Sequence, residues 1–280
     1  MSKNPRLSKP FLPREGLTLE AMFYPVQSLF LQPLLTGPLA YLLLARPEFV
    51  QKAIPWGGRL ESFISKKSTA VGFCILFGVG ILSRLSSWLS RWSVNNFVRD
   101  KTWDWTKEIV IVTGGSSGIG LEMVNRFAQL RIKTIILDVV PPSAGVLETA
   151  GVFFYKVDLS SPSAIALAAA EVKLEHGHPS VLISNAGIGV AKNILDENET
   201  ERRRLFDVNV LAHFTLAREF LPAMIENDHG HLVTVASMAS FYTQAQNVSY
   251  ACSKAAAMAF HEGIGQELRV RYNAPRVRTT

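Results

Sequence analysis

Hydrophobic and polar positions divide the chain into two regimes. In the first, apolar residues come in long uncharged stretches. Residues 21–45 carry no charge and include Phe23, Leu29, Phe30, Leu31, Leu34, Leu35 and the run Leu39 to Leu44. A stretch of that length could cross a bilayer as a helix. Pro25, Pro33, Gly37 and Pro38 argue against one straight helix, because proline removes a backbone donor and clashes with the preceding turn. A second uncharged stretch, 68–83, reaches only about 24 Å as a helix, short of the ~30 Å hydrocarbon core. Behind it Leu85, Trp88, Leu89 and Trp92 recur at helical spacing, with Arg84 and Arg91 interleaved. Tryptophan beside arginine at an apolar edge is the composition of an interfacial anchor. A packed amphipathic helix of a soluble domain would show the same spacing.

From Glu108 onward the pattern alternates. Short β-branched runs at 108–113, 134–138, 152–157, 180–184 and 231–236 predict strands, the last ending at Ser237. Helical spacing fills 121–130, 161–175 and 200–225. Alternating strands and helices imply an α/β fold, a doubly wound parallel sheet with its ligand at the strand C-termini. Two parts follow: an apolar, membrane-anchoring region 1–107 and a dinucleotide-binding domain 108–280.

Charge sharpens this division. Residues 1–107 hold 14 basic and 6 acidic side chains, a net of +8, whereas 108–280 hold 15 and 17, a net of −2. The basic excess therefore belongs with the apolar stretches and suits lipid headgroups. A near-neutral second part excludes a nucleic-acid enzyme wrapped in phosphate contacts. Segments 1–14 and 46–67 are both basic, so charge bias does not separate two membrane sides. A cytosol-facing monotopic or hairpin anchor fits best; the long leading polar segment and the prolines disfavour a cleaved signal peptide. The two cysteines, Cys74 and Cys252, exclude a disulfide framework and a cysteine-based zinc site.

The chemistry sits at the strand ends. The first run passes straight into Gly114-Gly115-Ser116-Ser117-Gly118-Ile119-Gly120 and then a helix. Strand, glycine turn and helix place a pyrophosphate on a helix N-terminus, where unpaired N–H groups hold the negative charge. The string lacks the Lys-Ser/Thr of a nucleoside-triphosphate loop. Asp138 ends the second strand 18 residues after Gly120. A carboxylate there accepts ribose hydroxyls and repels a 2′-phosphate, so NAD(H) is favoured over NADP(H). Tyr250 and Lys254 lie four apart, on one helix face. An ammonium beside a phenol favours the phenolate, so the pair can donate or accept a proton. Ser237, 13 residues before Tyr250, could hydrogen-bond the same substrate oxygen.

In order and spacing, Thr113-Gly114-xxx-Gly118-x-Gly120, Asp158-Leu159, Asn185-Ala186-Gly187, Asn209, Ser237 and Tyr250-xxx-Lys254 resemble the short-chain dehydrogenase/reductase family over roughly 108–280. The resemblance implies a Rossmann fold and hydride transfer between a nicotinamide and a carbinol or carbonyl carbon. It implies Tyr250 as acid/base, Ser237 as positioner of the substrate oxygen, Lys254 on the cofactor ribose, and Asn209 as keeper of a relay water. It also implies cofactor contacts from Ser116, Ser117, Ile119, Asp158, Leu159, Asn185, Ala186 and Gly187. Gly230-His-Leu-Val-Thr-Val-Ala-Ser237 looks like the membrane-associated 17β-hydroxysteroid and retinol dehydrogenase branch. That likeness implies a lipophilic alcohol or ketone substrate, an endoplasmic-reticulum or lipid-droplet membrane, and a homodimer as one arrangement. Members of the family continue beyond the point where this chain stops. The substrate lid and last strands are thus expected to be missing, and the fifth strand to be an open edge. An incomplete NAD-binding membrane scaffold is the alternative function, and a soluble sugar- or polyol-type dehydrogenase a third. His176/His178 and His229/His231 suit loops and strand entry, Arg202-Arg203-Arg204 a solvated helix face, and Cys252 plain packing.

Overall fold

A computed structural model describes residues 30–46, 67–94, 96–98 and 100–280. The basic 1–14 segment, the first part of the 21–45 stretch and nearly all of 46–67 lie outside the described residues. The chain forms two compact units, Met1–Trp92 and Ser93–Thr280.

In the first unit, α1 (Pro33–Ala45) and α2 (Lys67–Val94) are apolar helices. Pro33 opens α1, where its missing N–H costs nothing, and Pro38 is carried inside it. The two helices meet through small residues. A Cβ on Gly37 would lie 2.8 Å from the Phe77 ring, and one on Gly80 would lie 2.7 Å from the Leu31 carbonyl. Arg84 donates to the Gln32 side-chain amide. These pairings run antiparallel, and close approach through small residues is how helices associate where the surroundings are apolar. Outward, Leu34, Leu39 and Leu44 on α1 and Val71, Ile75, Val79 and Leu82 on α2 are exposed. The 68–83 stretch and the Trp88–Trp92 pattern, read separately in the sequence, are one helix. Its portion Thr69–Ser93 is long and apolar enough to cross a membrane.

In the second unit, the β-branched runs form a parallel sheet. Its strands are β1 (Ile109–Thr113), β2 (Lys133–Asp138), β3 (Val152–Lys156), β4 (Val181–Ser184), β5 (Gly230–Thr234) and β6 (Val277–Thr279). The order β3-β2-β1-β4-β5-β6 reverses direction between β1 and β4, the switch point where such sheets bind ligands. Ile111, Ile135, Leu182 and Leu232 face one side, where α5 (Pro162–His176), α7 (Ala212–Glu226) and α8 (Val248–Val270) cover them. Val110, Val112, Ile136 and Ile183 face the other side, toward α3 (Gly118–Gln129). A short α4 (Ala144–Leu147) precedes β3, and α6 (Glu199–Phe206) precedes α7.

Four features depart from the sequence reading. The 200–225 helix is interrupted by a π-helical turn, Asp207–Leu211, and π-turns inside α-helices recur at functional sites. β5 ends at Thr234, so Ser237 lies beyond the strand and caps a 3₁₀ turn, Met238–Ser240. The fifth strand is not an open edge: Gly230, His231 and Leu232 pair with Val277, Arg278 and Thr279. Residues 93–107 group with the second unit. Trp103 joins the β1 apolar cluster and packs at a tilt of 40° against His229, whose ring lies 3.1 Å from Glu108 and 3.0 Å from Thr102.

Candidate active site

At the switch point, β1 runs into its glycine turn and β4 into Asn185-Ala186-Gly187. The Thr113 hydroxyl joins the two. It donates to the Ile183 carbonyl at 3.3 Å and accepts the Asn185 and Ala186 N–H groups at 3.0 Å each. The Asn185 amide reaches back to the carbonyls of Thr113 (3.0 Å) and Gly114 (3.3 Å). Gly114 adopts φ +63, and a Cβ there would lie 2.9 Å from the Ala186 Cα. Only glycine meets both conditions. Asn185 therefore clamps the turn with its side chain, more than it presents that side chain to a ligand.

A cleft of about 620 Å³ opens over this junction. It is lined by Gly114, Ser116, Ser117, Gly118, Ile119, Asp138, Asp158, Leu159, Asn185, Ala186 and Gly187. Of the sequence-predicted cofactor residues, Gly120, Tyr250 and Lys254 are not part of its wall. Gly120 faces inward, where a Cβ would lie 2.1 Å from the Gly114 carbonyl, so its role is helix–turn packing. Leu137, Val139, Val140, Val157, Ile188, Arg204 and Val208 also line the cleft and carry no motif of their own. Arg204 departs from the solvated-face reading: it lines the cleft, 3.8 Å from the Asp158 carboxylate, whereas Arg203 pairs with Glu199 along the helix.

The cleft suits an anionic dinucleotide. At the start of α3, Ser117 makes no side-chain cap and the first turn holds no acid, so its N–H groups remain available to an anion. The Ser116 hydroxyl is buried without a partner. Across the cleft, Asp138 accepts the Ser116 N–H at 3.1 Å and the Val140 N–H at 3.3 Å. Bonds from the Ser160 N–H and hydroxyl, with Arg204 nearby, hold the Asp158 carboxyl below the usual carboxylate range. These residues fit a nicotinamide dinucleotide.

Beside Gly187 stand Lys254 and Asn209, with Tyr250 one helical turn before Lys254. Lys254, 4% exposed, donates to the Val235 carbonyl at 2.8 Å, and burial pulls its ammonium below the ordinary lysine range. Its Nζ lies 5.8 Å from the centre of the Tyr250 ring. A Cβ on Gly187 would come 3.5 Å from that Nζ and 3.4 Å from the Asn209 Oδ1, so the three residues converge. Ser253 donates to the Tyr250 carbonyl at 2.7 Å and accepts from Asn209 at 3.0 Å. The Ser237 hydroxyl accepts the Ala239 N–H at 3.1 Å, and the turn it caps is tied to α8 by Ser240 donating to the Lys254 carbonyl at 3.0 Å. Cys252 is exposed and not a packing residue, because two positions from Tyr250 on a helix is nearly the opposite face.

Comparison with known proteins agrees with this geometry. The short chain dehydrogenase family profile matches residues 108–275. Dehydrogenase RED2 of Cochliobolus heterostrophus is 56% identical over 217 residues, covering 78% of this chain and 81% of that protein. Estradiol 17-beta-dehydrogenase 11 of Homo sapiens is 38% identical over 171 residues, covering 58% of this chain and 56% of that protein. The chain thus spans little more than half the length of the human relative. Among solved structures, a metagenomic short-chain oxidoreductase in complex with NADP matches with a TM-score of 0.58 at 27% identity, covering 63% of this chain and 81% of that one. A 4-hydroxyisoleucine dehydrogenase complexed with NADH matches with a TM-score of 0.55 at 25% identity, covering 61% and 72%.

Proposed function

The chain belongs to the short-chain dehydrogenase family and is an oxidoreductase acting on CH–OH donors; from that premise we propose that it interconverts a lipophilic alcohol and its carbonyl compound, with NAD(H) and with Tyr250 as the acid/base. One observation carries the reading: Lys254 stands beside Gly187, a residue of the cleft wall, and Tyr250, one helical turn before it, stands beside Gly189. A bound nicotinamide would supply or take the hydride. Tyr250 would pass the proton to or from the substrate oxygen, and the Lys254 ammonium would stabilise the charge left on the phenol oxygen. Ser237 would hold the substrate oxygen, and Asn209, fixed by its bonds to Ile188 and Ser253, would keep a relay water behind Lys254.

Asp138 supports the preference for NAD(H), since its carboxylate closes the end of β2 to a second phosphate. Lipophilic substrates are supported by the estradiol-acting relative and by exposed Leu195, Met238, Phe241 and Tyr242 in the loops after β4 and β5. The test uses the full chain in detergent, with a panel of lipophilic secondary alcohols and each dinucleotide. Reduced-nicotinamide absorbance should appear with NAD⁺ and at least one lipophilic alcohol. Asp138→Ser should weaken NAD⁺ binding roughly 10-fold or more, as loss of a charged hydrogen bond does, and narrow the gap to NADP⁺. No turnover with any alcohol, or equal turnover on sugars, defeats the reading and favours a scaffold.

Membrane association is proposed for residues 1–107 on the strength of Thr69–Ser93, whose apolar side chains mostly face outward. Attachment at an endoplasmic-reticulum or lipid-droplet surface, with the second unit in the cytosol, follows from that reading. The full chain should stay with vesicles through carbonate extraction, and complete release would exclude the anchor. A homodimer through α7 and α8 is supported by an apolar groove of about 950 Å³ between them, which includes Phe214, Leu221 and Phe260. Phe214→Asp should then halve the particle mass.

A further inference from the structure

Glu197 is a buried acid, 9% exposed, in the loop that leads from β4 to α6. One carboxylate oxygen, Oε2, accepts the hydroxyl of Ser249, itself buried; the other, Oε1, is enclosed without a partner. Burying a carboxylate is costly unless something nearby favours its charge. Here the start of α8 does so. Asn247 makes no side-chain cap and the first turn of the helix holds no acid, so the positive end is unanswered from within. Glu197, 52 positions before Ser249 in the chain, meets that end at the second residue of the helix.

Ser249 is the residue before Tyr250. One turn further along the same helix face, Ser253 is also buried; it donates to the Tyr250 carbonyl and accepts from Asn209. Tyr250 thus sits between two serines, each held by a side chain from outside the helix. The loop that carries Glu197 is fixed at both ends. Ile188 exchanges two hydrogen bonds with the Asn209 side chain, and Glu197 closes on Ser249. Between these points a Cβ on Gly189 would lie 3.7 Å from the Tyr250 ring, Lys192 pairs with Glu201 at 2.8 Å, and Ile194 and Leu195 are exposed. The segment that borders the Tyr250 ring and offers apolar side chains is therefore tied to the helix turn that carries the phenol.

We propose that Glu197 is a positioning residue for Tyr250, acting through Ser249. It fixes the first turn of α8 against the 188–197 loop, so that the phenol and the apolar side chains of the loop keep one geometry toward the substrate. This rests on the oxidoreductase reading and adds a residue to it. Glu197 and Ser249 are not part of the cleft wall, and Lys254 is held separately by the Val235 carbonyl. Losing the Glu197–Ser249 bond therefore frees the turn and moves the phenol, and a misplacement of about 1 Å costs roughly 10²-fold in rate.

Two measurements on the full chain in detergent test this. In turnover at saturating NAD⁺, counted per dinucleotide-binding site so that unfolded chain drops out, Glu197→Ala and Ser249→Ala should each lower kcat by roughly 10- to 100-fold. NAD⁺ affinity should stay within about twofold, and the double variant should be no slower than the slower single one. Glu197→Gln, whose carboxamide oxygen still accepts the hydroxyl, should return kcat to within about threefold of wild type. Alanine variants within about threefold of wild type, a glutamine variant as slow as the alanine one, or losses that multiply in the double variant each overturn the proposal. With ¹³Cζ-labelled tyrosine, the Tyr250 resonance, assigned by its loss in Tyr250→Phe, should move in both alanine variants and hold its place in Glu197→Gln. An unmoved resonance in the alanine variants overturns the proposal, whatever the activity. Wild-type chain without turnover defeats the oxidoreductase reading alone, and the tyrosine resonance then decides the role of Glu197.

Discussion

Replacing Tyr250 with phenylalanine is expected to cut turnover by ~10²–10⁴-fold while changing NAD⁺ affinity by no more than about twofold. The substitution deletes one hydroxyl and keeps the ring, whose Cδ2 lies 3.7 Å from where a Gly189 Cβ would sit. It also keeps the helix contacts that place Lys254, since Ser253 holds the Tyr250 backbone carbonyl and not its side chain. The loss therefore reports proton transfer alone. Steady-state rates, with NAD⁺ binding followed by fluorescence, provide the check. Turnover within about threefold of wild type would remove Tyr250 from the chemistry.

Gly120→Ala is expected to lose dinucleotide binding by more than about 10-fold and to lower stability by ~2–3 kcal/mol, at the upper end of overpacking costs. An added Cβ would sit 2.1 Å from the Gly114 carbonyl and 2.6 Å from the Asn185 amide nitrogen. The Gly114 carbonyl is backbone and cannot rotate away, so the start of α3 must lift off the turn. Lifting it separates the helix N-terminus from the cleft and breaks the Asn185 clamp on β1. Gly145→Ala is the control: it has open space around it and an ordinary φ, and should leave melting temperature and binding near wild type. Equal behaviour of the two variants would show that the close approach at Gly120 is not structural.

Most of the sheet was legible because each strand carries its own signal. Ile109–Thr113 and Lys133–Asp138 are β-branched runs buried on both faces, and such runs read as parallel strands without knowledge of their neighbours. The glycine turn, Asp138 and the Tyr250–Lys254 pair were legible as motifs for a similar reason: each is written in residues at short, fixed separations.

What escaped notice depends on contacts between distant segments. Arg204 looked like one of three solvated arginines until α6 brought it to Asp158, 46 positions away in the chain. Thr113 appeared as the end of a strand; its three bonds to the 183–186 turn exist because β1 and β4 are neighbours. The π-turn at Asp207–Leu211 carries no composition signal, since Val, Asn and Leu suit an α-helix equally well. Nothing in the sequence marks His213; α8 buries it, with its ring stacked on Phe260.

Sequence alone determined the element types, the alternation that makes the sheet parallel, the separation of a basic apolar part from a near-neutral one, and the motif residues that gather at the switch point. These follow from local periodicity and short spacings, which the chain carries wherever it folds. Tertiary structure decided which groups share a cleft, which carboxylate meets Arg204, and how Asn209 divides its hydrogen bonds between Ile188 and Ser253. Those outcomes turn on register and helix packing, where a shift of one residue exchanges a buried face for an exposed one.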